Sequence, residues 1–138
     1  MIEKTDDIET CRAIRREVFI IEQNVSEAEE WDGRDDEAIH LLARDPLGRA
    51  IGTARILFDA ETGKIGRVAV LQAARGTGTG AALIRAALDE LRALPEIRRV
   101  KLGAQTHAIG FYEKLGFKVF GPEYDDAGIP HRDMILEL

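Results

Sequence analysis

Apolar residues recur along this chain with two periods, and the change from one to the other is sharpest between Gly66 and Leu91. Val68, Ala69, Val70 and Leu71 form a short continuous run of the kind that makes a buried strand. Further on, Ile84, Ala87, Leu88 and Leu91 fall at i, i+3, i+4 and i+7, with Arg85, Asp89, Glu90 and Arg92 on the opposite side. That spacing predicts an amphipathic helix beginning at Ala81. Between strand and helix stands Arg75-Gly76-Thr77-Gly78-Thr79-Gly80. A glycine-rich turn leading into a helix leaves backbone N–H groups unpaired and aimed outward, and the helix macrodipole adds partial positive charge there. The pattern therefore predicts a site for a phosphate or pyrophosphate group.

The remaining chain divides into further elements. Met1 to Lys4 fits a first strand. Asp6 or Asp7 is placed to cap a helix over Ile8–Ile21, with Ile8, Cys11, Ile14 and Val18 or Phe19 inward and Arg12, Arg15, Arg16 and Glu17 outward. Residues 23–37 read as a loop or a short helix. Ala38–Ala43 and Arg49–Phe58 read as strands joined by the turn Asp45-Pro46-Leu47-Gly48, which makes an antiparallel hairpin. A turn over residues 59–64 leads to the strand Ile65–Leu71. Three consecutive strands before the glycine turn argue against a simple repeating βαβ fold. Leu94-Pro95 ends the helix, and the helical crossover makes the next strand, Arg98–Leu102, parallel to Ile65–Leu71. His107–Leu115 is a helix closed by Gly116, and Phe117–Phe120 is a strand. Residues 121–130 read as an exposed loop, and the alternation of Met134, Leu136 and Leu138 supports a last strand from His131.

Composition narrows the picture. A chain of 138 residues, 45% hydrophobic and 32% charged, fits one globular domain over residues 1–138. The net charge of −6, with no basic stripe, argues against a nucleic-acid partner. No apolar run approaches the roughly 20 residues that span a bilayer, so no membrane partner is expected. The start, MIEKTDDIET, lacks the basic and apolar regions of a signal peptide. Cys11 is the only cysteine and belongs to the apolar side of its helix, which fits a small buried hydrophobe and a cytoplasmic location. A monomer and a homodimer both remain open. Glu27, Glu29, Glu30, Asp32, Asp35, Asp36 and Glu37 form either a solvated acidic face or, beside Trp31, a lure for a cationic amine. Their spacing does not match a calcium loop, and no metal is expected.

The glycine turn by itself suits more than one cofactor. No Gly-Lys-Ser/Thr closes it, so it is not a Walker A loop. Gly76, Gly78 and Ala81 satisfy G-x-G-x-x-A, but the acid of a dinucleotide site, about 20 residues later, is replaced by Val100-Lys101-Leu102. A nicotinamide oxidoreductase is thereby disfavoured. A purely packing role for the glycines fits poorly with the arginine and two threonines among them.

The run Arg75–Gly80 matches the R/Q-x-x-G-x-G/A motif of the GNAT superfamily of acyl-CoA N-acyltransferases, and Val68-Ala69-Val70 resembles that family's cofactor strand. The run from His107 through Phe111-Tyr112-Glu113-Lys114-Leu115-Gly116-Phe117 resembles its second hallmark, A-x-x-F-Y-x-K-x-G-F. Val18–Gln23, Gly66–Val70, Ala104–Ala108 and Gly128–His131 are similar to the small bacterial ElaA-like/YjcF-like branch. The resemblance covers nearly the whole chain.

This resemblance implies an α/β (α+β) fold: a central, mostly antiparallel sheet with one splayed parallel strand pair and helices on both faces. It implies acetyl-CoA as cosubstrate. The pyrophosphate would sit on the N–H groups of Arg75, Gly76, Thr77, Gly78, Thr79 and Gly80. The pantetheine arm would pair like an added strand with Val68, Ala69 and Val70, and Ala108 would allow close approach. The reaction implied is direct attack of a neutral amine on the thioester. A backbone N–H of the Val68–Val70 strand would stabilise the oxyanion, and Tyr112 would act as general acid toward the CoA thiolate. Glu22 and His131 are candidates for the base, as is His107 through water. Arg67 and Gln105 are candidates for holding the acceptor, although Arg67 equally suits a structural ion pair. The expected function is N-acetylation of a primary amine on a small molecule, or on a peptide. The alternative is a non-catalytic CoA-binding or sensor module on the same fold.

Overall fold

The computed structural model describes residues 1–138. Its strands are β1 (Ile2–Thr5), β2 (Ile39–Arg44), β3 (Ala50–Asp59), β4 (Thr62–Val70), β5 (Arg99–Gln105), β6 (Lys118–Asp126) and β7 (Ile129–Glu137). They form one seven-stranded sheet in the order β1-β2-β3-β4-β5-β7-β6. The helices are α1 (Ile8–Arg15), α2 (Glu27–Glu30), α3 (Thr79–Arg92) and α4 (Ile109–Glu113). Only β4 and β5 run parallel, as the crossover through α3 requires. Their pairing covers just Thr62↔Arg99, Gly63↔Val100 and Lys64↔Lys101, and beyond it the two strands part. No helix is long and apolar enough to cross a membrane.

The two faces of the sheet are closed by different helices. On one face α3 buries Leu83, Ile84, Ala87, Leu88 and Leu91 against Leu41, Ile56, Ile65, Val100 and Met134. On the other, Cys11 and Ile14 of α1, followed by Val18, pack on Leu42 and Ala69. The joint of the parallel pair is especially close. A Cβ built on Gly63 would lie 2.4 Å from Leu91 Cδ2, so glycine is what lets α3 seat on β4 there.

The turn read over residues 59–64 is shorter than expected, since β4 already begins at Thr62 and pairs with β5 through Thr62–Lys64, and three further features depart from the sequence-based expectation. First, the helix from Ile8 keeps an α pitch only to Arg15. From Arg16 to Glu22 it widens, and Gln23 N–H bonds to the Val18 carbonyl, five residues back. Second, residues 121–130 are not a loop. They complete the hairpin β6–β7, turned by Ala127 and Gly128 at φ 56° and 79°, the positive pair that a two-residue hairpin turn favours. A register shift between Phe120 and Tyr124, with Pro122 inside it, breaks the alternation that would mark a strand. Third, Arg15 does not face solvent but is 1% exposed, because buried carboxylates await it.

Those carboxylates come from the acidic segment, in which Glu30 and Asp35 are buried while Glu27, Glu29, Asp32, Asp36 and Glu37 stay exposed. Arg15 Nε donates to Glu30 Oε2 at 2.7 Å and its Nη1 to Asp35 Oδ1 at 2.8 Å. Arg12 Nε reaches Asp35 Oδ2 at 2.9 Å, and Arg55 of β3 clasps both oxygens of Asp32 at 2.9 and 2.8 Å. The guanidinium groups of Arg15 and Arg16 also cover the Trp31 ring, at 5.4 and 5.7 Å from its centre. Burial opposes ionisation of Asp35, but hydrogen bonds from Arg15 and Arg12 outweigh it and hold its pKa well below the ordinary value. Asp32 is held at about 2, chiefly by its hydrogen bond from Arg55.

Two predictions rest on this packing. Gly63→Ala lowers stability by about 1–3 kcal/mol through overpacking. It does less harm in a Leu91→Ala background, which removes the clashing atoms; urea unfolding of the four-member cycle checks this, and strict additivity would contradict it. Asp32 and Asp35 have folded-state pKa values below the ordinary 3.8, so their stabilisation is complete above that pH and drains away as the pH falls through it toward 2. Asp35→Asn therefore costs about 3–5 kcal/mol at pH 7 by stranding buried arginine. It also narrows the difference in Tm between pH 7 and pH 3. Thermal unfolding at the two pH values measures both effects, and a difference as wide as in the parent protein would refute the assignment.

Candidate active site

A cleft of about 580 Å³ opens where β4 and β5 part. Its β4 wall carries a bulge. Thr53 pairs with Ala69 and Arg55 with Gly66, so Arg67 and Val68 together face Ala54 alone. Arg67 absorbs the extra residue at φ 49°, a left-handed conformation that non-glycine residues seldom adopt. The bulge shifts the two-residue alternation by one. Ile65, Val68 and Val70 pack toward α3, whereas Ala69 packs toward α1. Leu71 N–H donates to the Ile51 carbonyl at 2.9 Å, so the antiparallel alternation assigns Ala69 to β3 as well. The backbone groups of Val68 and Val70 are thereby turned toward β5, with which they do not pair.

The glycine turn continues this wall. Gly76 and Gly78 stand at φ 79° and 84°, and nothing lies within 4 Å of where their Cβ atoms would be. The glycines are thus required by backbone conformation rather than by crowding. Gly78 caps α3, whose first internal bond is Ala82 N–H to the Gly78 carbonyl at 3.0 Å. The amides of Thr79, Gly80 and Ala81 lie ahead of that bond at the positive end of a 14-residue helix. The Thr77 hydroxyl bonds to the Ala74 carbonyl and lies 2.9 Å from the Thr79 hydroxyl, which ties the turn to itself. Arg75 braces it from outside: its Nε donates to the Val70 carbonyl at 3.0 Å and its Nη2 to Glu22 at 2.8 Å.

Tyr112 lines the cleft from the α3 side, as does Ala108 at the start of α4. The Tyr112 ring meets Phe111 and Phe117 edge-to-face at 5.0 and 6.1 Å. Burial pushes its phenol up to about 12, so it stays protonated and able to donate at neutral pH.

The other sequence-derived candidates separate. His131 lines the cleft, and its Nδ1 lies 2.7 Å from the Ile129 carbonyl. A carbonyl only accepts, so Nδ1 carries the proton and the neutral ring keeps its lone pair on Nε2. Glu22 instead borders a separate groove beside Ile14 and Leu71, where Arg75 holds it. Gln105 lines the cleft and donates to Gln23 Oε1 at 3.0 Å, while its own Oε1 is 2.7 Å from His107 Nε2. Arg67 also lines the cleft, but its guanidinium is engaged by Glu30 and Asp32.

Among the cleft residues that the sequence reading did not single out, Tyr124 stands out. Tyr124 of β6 donates its hydroxyl to Asp133 Oδ1 at 2.7 Å, and its ring lies over His131 with centroids 5.9 Å apart. Burial, then the bond to Asp133, raises its pKa. A Cβ on Gly103 would come within 2.5 Å of the Tyr124 hydroxyl, so glycine there lets the Tyr124 side chain reach across β7 and lie close over β5. The signal that would have found Tyr124 is Ala127-Gly128: read as a hairpin turn, it places Tyr124 opposite His131.

Comparison with known proteins agrees with this geometry. The family profile described as an acetyltransferase (GNAT) domain matches residues 6–138. The uncharacterized N-acetyltransferase YjcF of Bacillus subtilis is 37% identical over 125 residues, covering 90% of this chain and 88% of YjcF. The crystal structure of Escherichia coli ElaA is 32% identical with a TM-score of 0.85, covering 99% of this chain and 100% of that one. An acyl-CoA N-acyltransferase from Pseudomonas aeruginosa is 31% identical with a TM-score of 0.84, covering 99% of this chain and 97% of its own. A family profile that takes in nearly every residue, and relatives matched along their length, give the cleft its context: this chain belongs to the GNAT acetyltransferase family.

Proposed function

We propose that the protein is an acetyl-CoA-dependent N-acetyltransferase acting on the primary amine of a small molecule. The observation that carries this reading is the continuity of one wall. The backbone of Val68 and Val70, which β5 does not pair and whose Val70 carbonyl Arg75 caps, runs into the glycine turn and the open end of α3. An extended ligand with amides along its length and a pyrophosphate at one end matches that wall in both chemistry and order. The backbone groups of Val68 and Val70 hold the pantetheine, with Ala69 between them paired to β3; the amides from Gly76 to Gly80 hold the pyrophosphate, the Arg75 N–H being already bonded to the Gln72 carbonyl at 3.2 Å, and Ala108 leaves room beside them. Acetyl-CoA, when bound, would supply the acetyl group as an activated thioester and leave as the CoA thiol; the rest of the chemistry belongs to this chain.

A backbone N–H of the bulged strand faces the gap and stabilises the oxyanion as the amine attacks. Tyr112 donates its proton toward the departing thiolate. His131 accepts the proton of the amine at Nε2, the lone pair that its bond to Ile129 leaves free. Glu22 is already paired with Arg75 and His107 Nε2 is engaged with Gln105 Oε1, which favours His131 for the base role. Gln105, steadied by Gln23 and His107, stands beside the acceptor.

A thiol-release assay over a panel of small amines tests the function and is expected to give turnover with acetyl-CoA. Acetyl-CoA is also expected to raise Tm where NAD does not, and the reverse would sink the assignment. Binding without turnover across the panel would favour the non-catalytic CoA-binding module. Within the active panel, Tyr112→Phe is expected to lower kcat by about 100-fold or more while leaving acetyl-CoA affinity nearly unchanged. An unchanged kcat would remove Tyr112 from the acid role.

A further inference from the structure

We infer that Arg67 is a positioning residue, and that Glu30 and Asp32 form a clamp on it that holds the β4 bulge in shape. The inference rests on reading Val68–Val70 as the cofactor strand. Arg67 is the residue at positive φ in that bulge, in a conformation that a side chain disfavours. Such a conformation persists only where the surroundings over-determine it. Here they do. Arg67 Nε donates to Glu30 Oε2 at 3.1 Å, and its Nη2 reaches the Glu30 carbonyl at 3.2 Å and Asp32 Oδ2 at 3.4 Å.

Both acids are themselves anchored. Glu30 is 3% exposed and bound by Arg15, which is 1% exposed. Asp32 is gripped by Arg55, whose position in β3 is opposite Gly66, the residue just before the bulge. A chain of contacts, buried at Arg15–Glu30 and part-buried at Glu30–Arg67, thus runs from α1 to one backbone angle in β4. That angle decides which amides face the cleft. Without the extra residue, the alternation set at Ile65 would carry Val68 to the opposite face and turn its backbone groups toward β3. The acidic segment therefore acts on the cofactor through the strand and never has to touch it.

Glycine separates this role from any direct contact of the side chain. It adopts positive φ without help, so Arg67→Gly dispenses with the clamp, whereas Arg67→Ala loses the clamp and keeps the conformational penalty. With acetyl-CoA affinity read by calorimetry, Arg67→Ala is expected to weaken binding about ten-fold, and Arg67→Gly to recover most of that loss. Equal weakening in both variants, or none in either, overturns the inference. Wild-type protein that binds no acetyl-CoA overturns the cofactor-strand reading and the inference with it.

Should Arg67→Ala fail to fold, Asp32→Asn takes its place. It is expected to weaken acetyl-CoA binding a few-fold in the wild-type background and not at all on top of Arg67→Gly. An equal loss in both backgrounds overturns the clamp.

Discussion

Two parallel strands that pair at one end and separate at the other set the constraint on which the rest of this molecule depends. Separation strips backbone donors and acceptors of their partners, and buried groups of that kind are costly unless something meets them. The protein leaves them at the wall of an open cleft, where a ligand with its own amides can pair with them. It keeps the joint closed with Gly63 and Leu91, so the opening starts at a defined place. The glycine turn, Tyr112 and His131 all take their places around that opening.

Much of this was legible in the order of residues. The run from Val68 to Leu91 announced strand, turn and helix because each obeys a local rule: continuous apolar burial, glycines before a helix, then a period of 3.6. What escaped depended on long-range pairing. Arg15 reads as an outward residue on any helical wheel, and only Glu30 and Asp35, brought in from later in the chain, explain why it is buried. The widening of the helix at Arg16 has no sequence pattern of its own. Tyr124 was hidden because β6 is largely exposed and bulged, so neither its hydrophobicity nor its alternation marked a strand.

The acidic segment illustrates how charge patterns mislead when read alone. Seven acids within eleven residues look like a surface device. In the folded chain two of them, Glu30 and Asp35, are among the least exposed side chains, because arginines from α1, β3 and β4 converge on them. Each arginine belongs to an element that would otherwise pattern as ordinary, so the network is visible only once the sheet has formed.

β6 lies at the free margin of the sheet, where exposed strands tend to recruit further strands. Its irregularity works against that. Pro122 offers no N–H, the bulge twists the ladder away from flatness, and Glu123, Asp125 and Asp126 repel an approaching copy. The same interruption that lets Tyr124 lean over Gly103 therefore also guards the molecule against indiscriminate edge-to-edge growth, and smoothing this strand would trade solubility for regularity.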